Sequence, residues 1–335
     1  KKGQELVLTP HVIGGKMTDV FEYWWDPTTY GFNDQLKNII YTTEGTNVVW
    51  RYTGVGYKTL QLKVTKNRGK WDEETQIVKR EDLVYVTPES IYVDQESRYP
   101  SYPYSSWASA ATNLEEAVSI ARTGAKVTVA PGLYEIKNPL TIKHAITLRG
   151  STSDPHDVTV RMGTVSGKDY LLFLSNAKLV VSGVTLDGGA RNGKYNGCVW
   201  GDYGGGTITN CILQNSWPAA RWQSGYTWYN VSGYGLLTHS MVTNCAVAND
   251  STATDGNARS VIYNGASGGR ISNCLIIGNQ VTHNSDRGII RNSGTMDNCT
   301  VVNNNLYQTG GTYRFHVRNE TALAQCVNCV FAHNT

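Results

Sequence analysis

A short pattern of polar and apolar positions returns five times in the last third of the chain. It reads Thr209-Asn210-Cys211-Ile212-Leu213, Thr243-Asn244-Cys245-Ala246-Val247, Ser272-Asn273-Cys274-Leu275-Ile276, Asp297-Asn298-Cys299-Thr300-Val301 and Val327-Asn328-Cys329-Val330-Phe331. Side chains alternate with period two along a strand, so each Cys and the aliphatic residue two positions later share a face, predicted to point inward. The steps between these cysteines are 34, 29, 25 and 30 residues. Such spacing is uneven for a helical repeat but natural for stacked strand coils with variable loops. A second polar residue follows four positions after the Cys (Asn215, Asn249, Asn303) or five (Asn279, Asn334). An Asn recurring at a bend can stack on its copy about 4.8 Å away and satisfy the bent backbone. The pattern therefore predicts a structural ladder of Asn210, Asn244, Asn273, Asn298 and Asn328 beside an inward column of Cys211, Cys245, Cys274, Cys299 and Cys329. Ser182-Gly183-Val184-Thr185-Leu186-Asp187 fits the same phrase, with Gly183 in the Cys position and Asp187 in that of the second Asn.

Upstream, the apolar spacing changes. Leu6-Val7-Leu8, Val20 to Asp26, Val48 to Tyr52, Thr59 to Val64 and Asp82 to Val86 alternate apolar and polar residues between Gly- or Asn-bearing turns, which predicts short strands of a β-sandwich. A Pro-, Ser- and Tyr-rich join covers residues 87–111, with Ile91-Tyr92-Val93-Asp94 as the first strand inside it. One helix is predicted near 112–123. It has Thr112 or Asn113 as cap, acids in its first turn, Leu114, Val118 and Ala121 on one side, and Gly124 after it. Pro131-Gly132 then turns the chain into strands at Leu140-Thr141-Ile142, 146–150 and 158–160.

The coils with Asn bends and short β-branched strands resemble the right-handed parallel β-helix of the pectate-lyase-like superfamily. Trp107 to Ala117 with Gly124-Ala125-Lys126-Val127-Thr128-Val129-Ala130-Pro131-Gly132-Leu133-Tyr134 looks like the entrance of bacterial surface β-helix proteins, in which a helix covers the open end of the core. A cap makes physical sense, because the first coil otherwise exposes unpaired backbone and apolar side chains. Tyr23-Trp24-Trp25-Asp26, Trp50-Arg51-Tyr52, the strand from Gly56 to Thr65 and Asp82 to Val86 resemble PKD-type immunoglobulin-like domains. The likeness departs where Asp26 is followed by Pro27-Thr28-Thr29-Tyr30 instead of Phe-Gly-Asp-Gly. The resemblance implies a spacer or adhesion module. Trp24 or Trp25 as a sugar platform competes with a core role for at least one of them. The expected fold is thus all-β: an N-terminal immunoglobulin-like (PKD-type) β-sandwich over residues 1–88, then a right-handed parallel β-helix with an N-terminal capping α-helix over residues 89–335.

Composition narrows the function classes. Charged residues are only 17 % of the 335, with 34 Gly, 20 Tyr and 9 Trp, a profile suited to a loop-rich extracellular β protein. A net charge of +3 without a dense basic stripe argues against nucleic acid, and no apolar run suggests a membrane span. The chain opens directly into folded sequence and closes just after a repeat, so both ends look cut from something longer. Seven cysteines are an odd number, and five recur in the phrase, which favours buried free thiols over disulfides. Cys326 and Cys329 form a Cys-x-x-Cys with no second pair or clustered His, so no metal and no cofactor is expected.

Candidate chemistry lies on the strand before each bend. Aligning Cys198-Val199-Trp200-Gly201, Leu236-Leu237-Thr238-His239, Val261-Ile262-Tyr263-Asn264, Ile289-Ile290-Arg291-Asn292 and His316-Val317-Arg318-Asn319 gives an outward column of Trp200, Thr238, Tyr263, Arg291 and Arg318. A second outward register holds Tyr234, Arg259, Arg287 and Arg314. Beyond residue 190 there are eight Arg and one Lys, and five of those Arg fall in the two columns. Arg offers a planar fork for carboxylate or sulfate and aromatic rings stack on sugars, so an acidic polysaccharide is the natural ligand. The competing reading is an Arg ladder that keeps exposed strands soluble. A lyase would need a carboxylate neutraliser and a base, for which His316, Arg318, Arg291 and Tyr313 are the candidates. Asp250, Asp255 and Asp286 read as turn residues rather than as a hydrolytic pair.

Three functions remain. The first, and preferred, is a non-catalytic extracellular or cell-surface protein that binds acidic glycans or neighbouring surface components. The others are a polyuronate lyase or related carbohydrate-active enzyme, and a subunit that stacks end to end in a filament.

Overall fold

The computed structural model describes residues 4–11, 18–27, 39–43, 46–52, 54–163, 170–189, 197–202, 204–216, 227–230, 234–247, 260–265, 268–282, 288–307, 316–319 and 321–335. The chain divides into two units, Lys1–Glu89 and Ser90–Thr335.

In the first unit, alternation places Tyr23 and Trp25 on one face of the strand Phe21–Asp26, and both are buried. This strand pairs antiparallel with Ile40–Thr43 and with Gly56–Lys66, which in turn pairs with Glu74–Val86. Glu5–Leu8 and Val48–Arg51 form a separate antiparallel pair, and their Leu8 and Val48 join Tyr23, Trp25 and Leu60 in one apolar cluster. Trp25 thus serves the core. Trp24 points the other way, into a row with Tyr41 and Lys63, and its ring is engaged by Lys63 Nζ at 5.0 Å and the Arg68 guanidinium at 5.4 Å. Strand Ile40–Thr43 is an addition to the pattern read from the sequence.

The second unit is a parallel β-helix. Among the described residues its three long sheets contain nine, eight and seven strands, and every neighbour in each sheet comes from the coil before or after. A first-sheet strand such as Thr207–Thr209 bends into a second-sheet strand, Ile212–Gln214, and the chain then crosses to a third-sheet strand, Trp228–Asn230. Parallel partners put equivalent residues directly above one another, so inward apolar positions become continuous columns. In the third sheet these are Leu140, Leu172, Val199, Trp228, Ile262, Ile290 and Val317. A short fourth sheet, Ala246–Val247, Gln280–Thr282 and Asn305–Tyr307, adds a further side to the later coils.

The helix spans Leu114–Ile120, with Asn113 as its cap: the Asn113 side chain accepts the Glu116 N–H. Leu114, Ala117 and Val118 are buried in the main core, and the helix packs against Ser90–Val93, Lys126–Val129, Gly132–Ile136 and Leu140–Ile142. It ends at Ile120, with Ala121 as C-cap, before the turn that contains Gly124.

The bends correct the repeat reading. From the strand Thr207–Thr209 onward, each coil has two bends made by a residue with positive φ followed by an inward one. At the bend from first to second sheet the positive-φ residues are Gly183, Asn210, His239, Asn273, Asn298 and Asn328. The inward residues after them are Val184, Cys211, Ser240, Cys274, Cys299 and Cys329, all buried except the half-buried Cys329. At the bend out of the second sheet the positive-φ residues are Asn215, Asn244, Gly278, Asn303 and His333, followed inward by Ser216, Cys245, Asn279, Asn304 and Asn334. Asn244-Cys245 therefore belongs to the second bend, because Met241–Thr243 pairs with Ile212–Gln214 and Leu275–Ile277, not with first-sheet strands. Gly183 takes the Asn position and Val184 the Cys position, since Ser182 pairs with Thr209; Asp187 pairs with Gln214, one short of Asn215. The left-handed region suits Gly and Asn above other residues, which is why the two interchange there. Asn249 lies outside the described residues.

The expected amide ladder of Asn210, Asn244, Asn273, Asn298 and Asn328 is not one: all five are exposed and serve the backbone turn. Two other Asn columns carry amide ladders inside the core. Asn279 Nδ2 donates to Asn304 Oδ1 at 2.9 Å and Asn304 Nδ2 to Asn334 Oδ1 at 3.1 Å. At the end of the third sheet, Asn264 Nδ2 donates to Asn292 Oδ1 at 2.9 Å and Asn292 Nδ2 to Asn319 Oδ1 at 3.2 Å. Asn264, Asn279, Asn292 and Asn304 are almost fully buried, and the ladders satisfy amides that water cannot reach.

All seven cysteines are free thiols, and five are buried. The first-bend thiols reach back to the coil before: Cys211 Sγ to Val181 O, Cys274 Sγ to Leu237 O and Cys299 Sγ to Ile271 O, at 3.5 to 3.7 Å. Burial pushes Cys211 up to about 12 and Cys245 to about 11, so at neutral pH they are small, protonated core residues.

One ion pair ties successive first-sheet strands. Arg270 Nε and Nη2 donate to the two oxygens of Asp297 at 2.7 and 3.0 Å, and Ser272 Oγ adds a third bond. The Arg270 bond above all holds the Asp297 carboxyl below its usual range. A depressed carboxyl contributes stability above its unfolded value, and loses it as pH falls through the folded one. The stability difference between wild type and Asp297→Asn should be steady from neutral pH down to about pH 5 and should shrink below about pH 4. Denaturant midpoints across that range check it, and a gap that widened in acid would be the wrong sign.

Candidate functional site

The third sheet carries the outward column. From Phe173 the register runs to Trp200, Tyr229, Tyr263, Arg291 and Arg318, one residue per coil. Phe173, Tyr263 and Arg291 are held by the same local rule: the two strand neighbours of each are buried core residues, Leu172 and Leu174 for Phe173, Ile262 and Asn264 for Tyr263, Ile290 and Asn292 for Arg291. At about 4.8 Å per parallel step, the five steps span about 24 Å.

Thr238 is not part of this column. Leu236–Thr238 pairs with Thr207–Thr209 and Arg270–Ser272 in the first sheet, and the third-sheet strand of that coil is Trp228–Asn230. The misplacement has the same source as that of Cys245: the phrase Asn244-Cys245 belongs to the second bend, so counting back from it selects a first-sheet strand. The signal that could have corrected it is the Asn that follows Tyr229, Tyr263, Arg291 and Arg318 in the sequence, of which Asn264, Asn292 and Asn319 form the amide ladder.

The described rings and guanidinium make contact along the column. Tyr170 lies 6.2 Å from Phe173 and 4.9 Å from Trp200, centroid to centroid, so the three rings cluster at one end. The Arg291 guanidinium sits 4.6 Å over the Tyr263 ring, a cation–π contact that fixes the planar fork on the sheet surface. Trp200, Tyr263, Arg291 and Arg318 are each half-buried. Tyr234 is exposed, ahead of the first-sheet strand Leu236–Thr238. Arg259, Arg287, Arg314 and Tyr313, with Asp250, Asp255 and Asp286, lie outside the described residues.

His316 occupies a different environment from Arg318. Its carbonyl accepts from Ile290 N, in the same corner pattern by which Ile289 O receives Ile262 N and Val261 O receives Trp228 N. Its predecessors in that corner, Cys198, Thr227, Val261 and Ile289, are all buried. Desolvation pulls the half-buried His316 imidazole below its usual pKa, and among the described residues its Nδ1 meets no hydrogen-bonding partner. A corner position in line with core residues suits packing better than abstraction of a proton from a ligand on the sheet face. Among the described residues, no three His, Cys, Asp or Glu side chains gather as a metal-binding group, and no helix is long and apolar enough to cross a membrane.

No protein-family model matches the chain, and no curated protein matches it either. Among solved structures, the chain is similar to a pectin methylesterase from Aspergillus niger, with 13 % identity and a TM-score of 0.42, over 74 % of this chain and 85 % of that one. It is also similar to the Dettilon tailspike protein, at 13 % identity and a TM-score of 0.35, over 73 % of this chain and 62 % of that one. A third is the ORF18 protein of Geobacillus virus E2, at 11 % identity and a TM-score of 0.29, over 80 % of this chain and 68 % of that one.

Proposed function

We propose that the chain is a secreted or cell-surface protein whose right-handed β-helix, closed at its first coil by the helix Leu114–Ile120 and preceded by an immunoglobulin-like spacer, binds acidic glycans without transforming them. The observation that carries this reading is the third-sheet column, which passes in register from rings at Phe173, Trp200 and Tyr263 to guanidinium groups at Arg291 and Arg318. A linear polysaccharide laid along the column meets aromatic faces for its sugar rings and planar forks for its carboxylates or sulfates. The rigid ladder presents these groups with little ordering cost on binding. What favours the non-catalytic role is the position of His316, in line with the buried corner residues Val261 and Ile289, while Arg318 lies on the sheet face.

The test is a binding screen of the purified chain against neutral, uronic and sulfated polysaccharides, with the ultraviolet absorbance of unsaturated uronate followed in parallel. Retention of acidic glycans with flat absorbance is the expected result; rising absorbance would make the protein a lyase. The double variant Arg291→Ala, Arg318→Ala should weaken acidic-glycan binding by at least about tenfold, the loss of about 1.4 kcal/mol, while the thermal midpoint stays within about 2 °C. Binding unchanged in this variant would sink the column as the site.

A further inference from the structure

Where the helix meets the first coil there is a cavity of about 220 Å³. Its apolar floor includes Val118, Ile142 and Ile146, all buried in the main core. Its rim carries Ser119, Arg122, Thr141, Lys143 and His144, and among the described residues no carboxylate lines it. Arg122 Nη1 donates to Ser119 O and Ala121 O at 2.8 and 2.9 Å, which pins the guanidinium at the end of the helix. The turn bearing Lys143 and His144 is anchored on both sides: Asn176 Nδ2 donates to Lys143 O at 3.2 Å, and Gly124 N donates to Ala145 O at 2.7 Å.

We infer that this cavity is a second ligand site, separate from the third-sheet column, that takes one compact ring bearing a carboxylate, of the hexuronate class. An apolar floor matches the C–H face of a pyranose. The Ser119 and Thr141 hydroxyls and the His144 ring match its hydroxyls, and Arg122 with Lys143 match its carboxylate. The volume is of the size of a single sugar ring. Positive charge around a low-dielectric recess also draws a small anion inward over a neutral sugar of the same shape.

The experiment is a calorimetric or ligand-observed NMR titration of the full chain with sodium glucuronate, and with methyl glucoside as the neutral counterpart. Saturable binding of glucuronate and none of the glucoside is expected. Lys143→Glu reverses an exposed charge and should abolish glucuronate binding with the melting temperature unchanged, whereas Arg291→Ala with Arg318→Ala should leave it intact. That last comparison separates this site from the column. Should Lys143→Glu alter folding, His144→Ala provides the second variant, expected to weaken glucuronate at least threefold. Equal affinity for both sugars, no saturable binding, or glucuronate affinity unaffected by a folded Lys143→Glu protein would each overturn the assignment.

Discussion

Replacing Cys274 by Asp is expected to abolish the cooperative unfolding of the β-helix at neutral pH. Cys274 is 3 % exposed, stacked between Ser240 before it and Cys299 after it, and its thiol is bonded to Leu237 O and Ser272 O. The charged group that acts on this thiol is the Asp297 carboxylate, which would repel a second one. The introduced Asp must either bury its charge or take up a proton, and protonating an ordinary Asp at pH 7 costs about 4 kcal/mol. That is a large share of the roughly 5–15 kcal/mol available to a folded domain. Because each coil contacts only its neighbours, the break should separate the coils on either side instead of weakening all of them equally. The buried acid has a raised pKa, so its penalty is greatest at high pH and shrinks as pH falls toward about 4, opposite in sign to Asp297. Cys274→Ser is the control, since Ser240 already occupies the same column and accepts the Cys211 N–H at 3.1 Å. A melting curve unchanged in Cys274→Asp would refute the inward register of the whole column.

The inward direction of Cys211, Cys274 and Cys299 was legible in the sequence because period two admits only two faces, and thiols beside Ile and Leu belong to the apolar one. The coil count was legible less well. Asn followed by a small inward residue recurs at both kinds of bend in the later coils. Asn244-Cys245 and Asn210-Cys211 therefore read alike while serving different corners. The same ambiguity moved Thr238 into a column that belongs to Tyr229. His239 and Gly183 hid the true first-bend series, since the sequence shows residue type but not φ. The aromatic-to-Arg order survived the slip because Trp200, Tyr263, Arg291 and Arg318 were each aligned to their own third-sheet strand. The cavity beside Lys143 was not legible at all: it depends on where a helix comes to rest, which no local pattern encodes.

Adjacent asparagines at one bend should respond in opposite ways. Asn304→Leu is expected to cost about 3–5 kcal/mol, and Asn303→Gly close to nothing. Asn304 Oδ1 accepts from the Asn279 backbone N–H and side chain at 3.0 and 2.9 Å, while its Nδ2 donates to Ile276 O, Val302 O and Asn334 Oδ1. Leucine has nearly the same size but leaves these donors and acceptors buried and unmatched, at about 1–3 kcal/mol for each that finds no other partner. Its gain in apolar burial, about 2 kcal/mol at most, does not offset them. Asn303 is exposed with φ at 53°, and its contribution is the left-handed backbone itself. Glycine keeps that conformation without strain, whereas Asn303→Ala should lose about 1 kcal/mol. Chemical denaturation of the three variants separates the two roles. Were Asn304→Leu as stable as wild type, the amide ladder would be a consequence of the coil stack and not one of the interactions that hold it together.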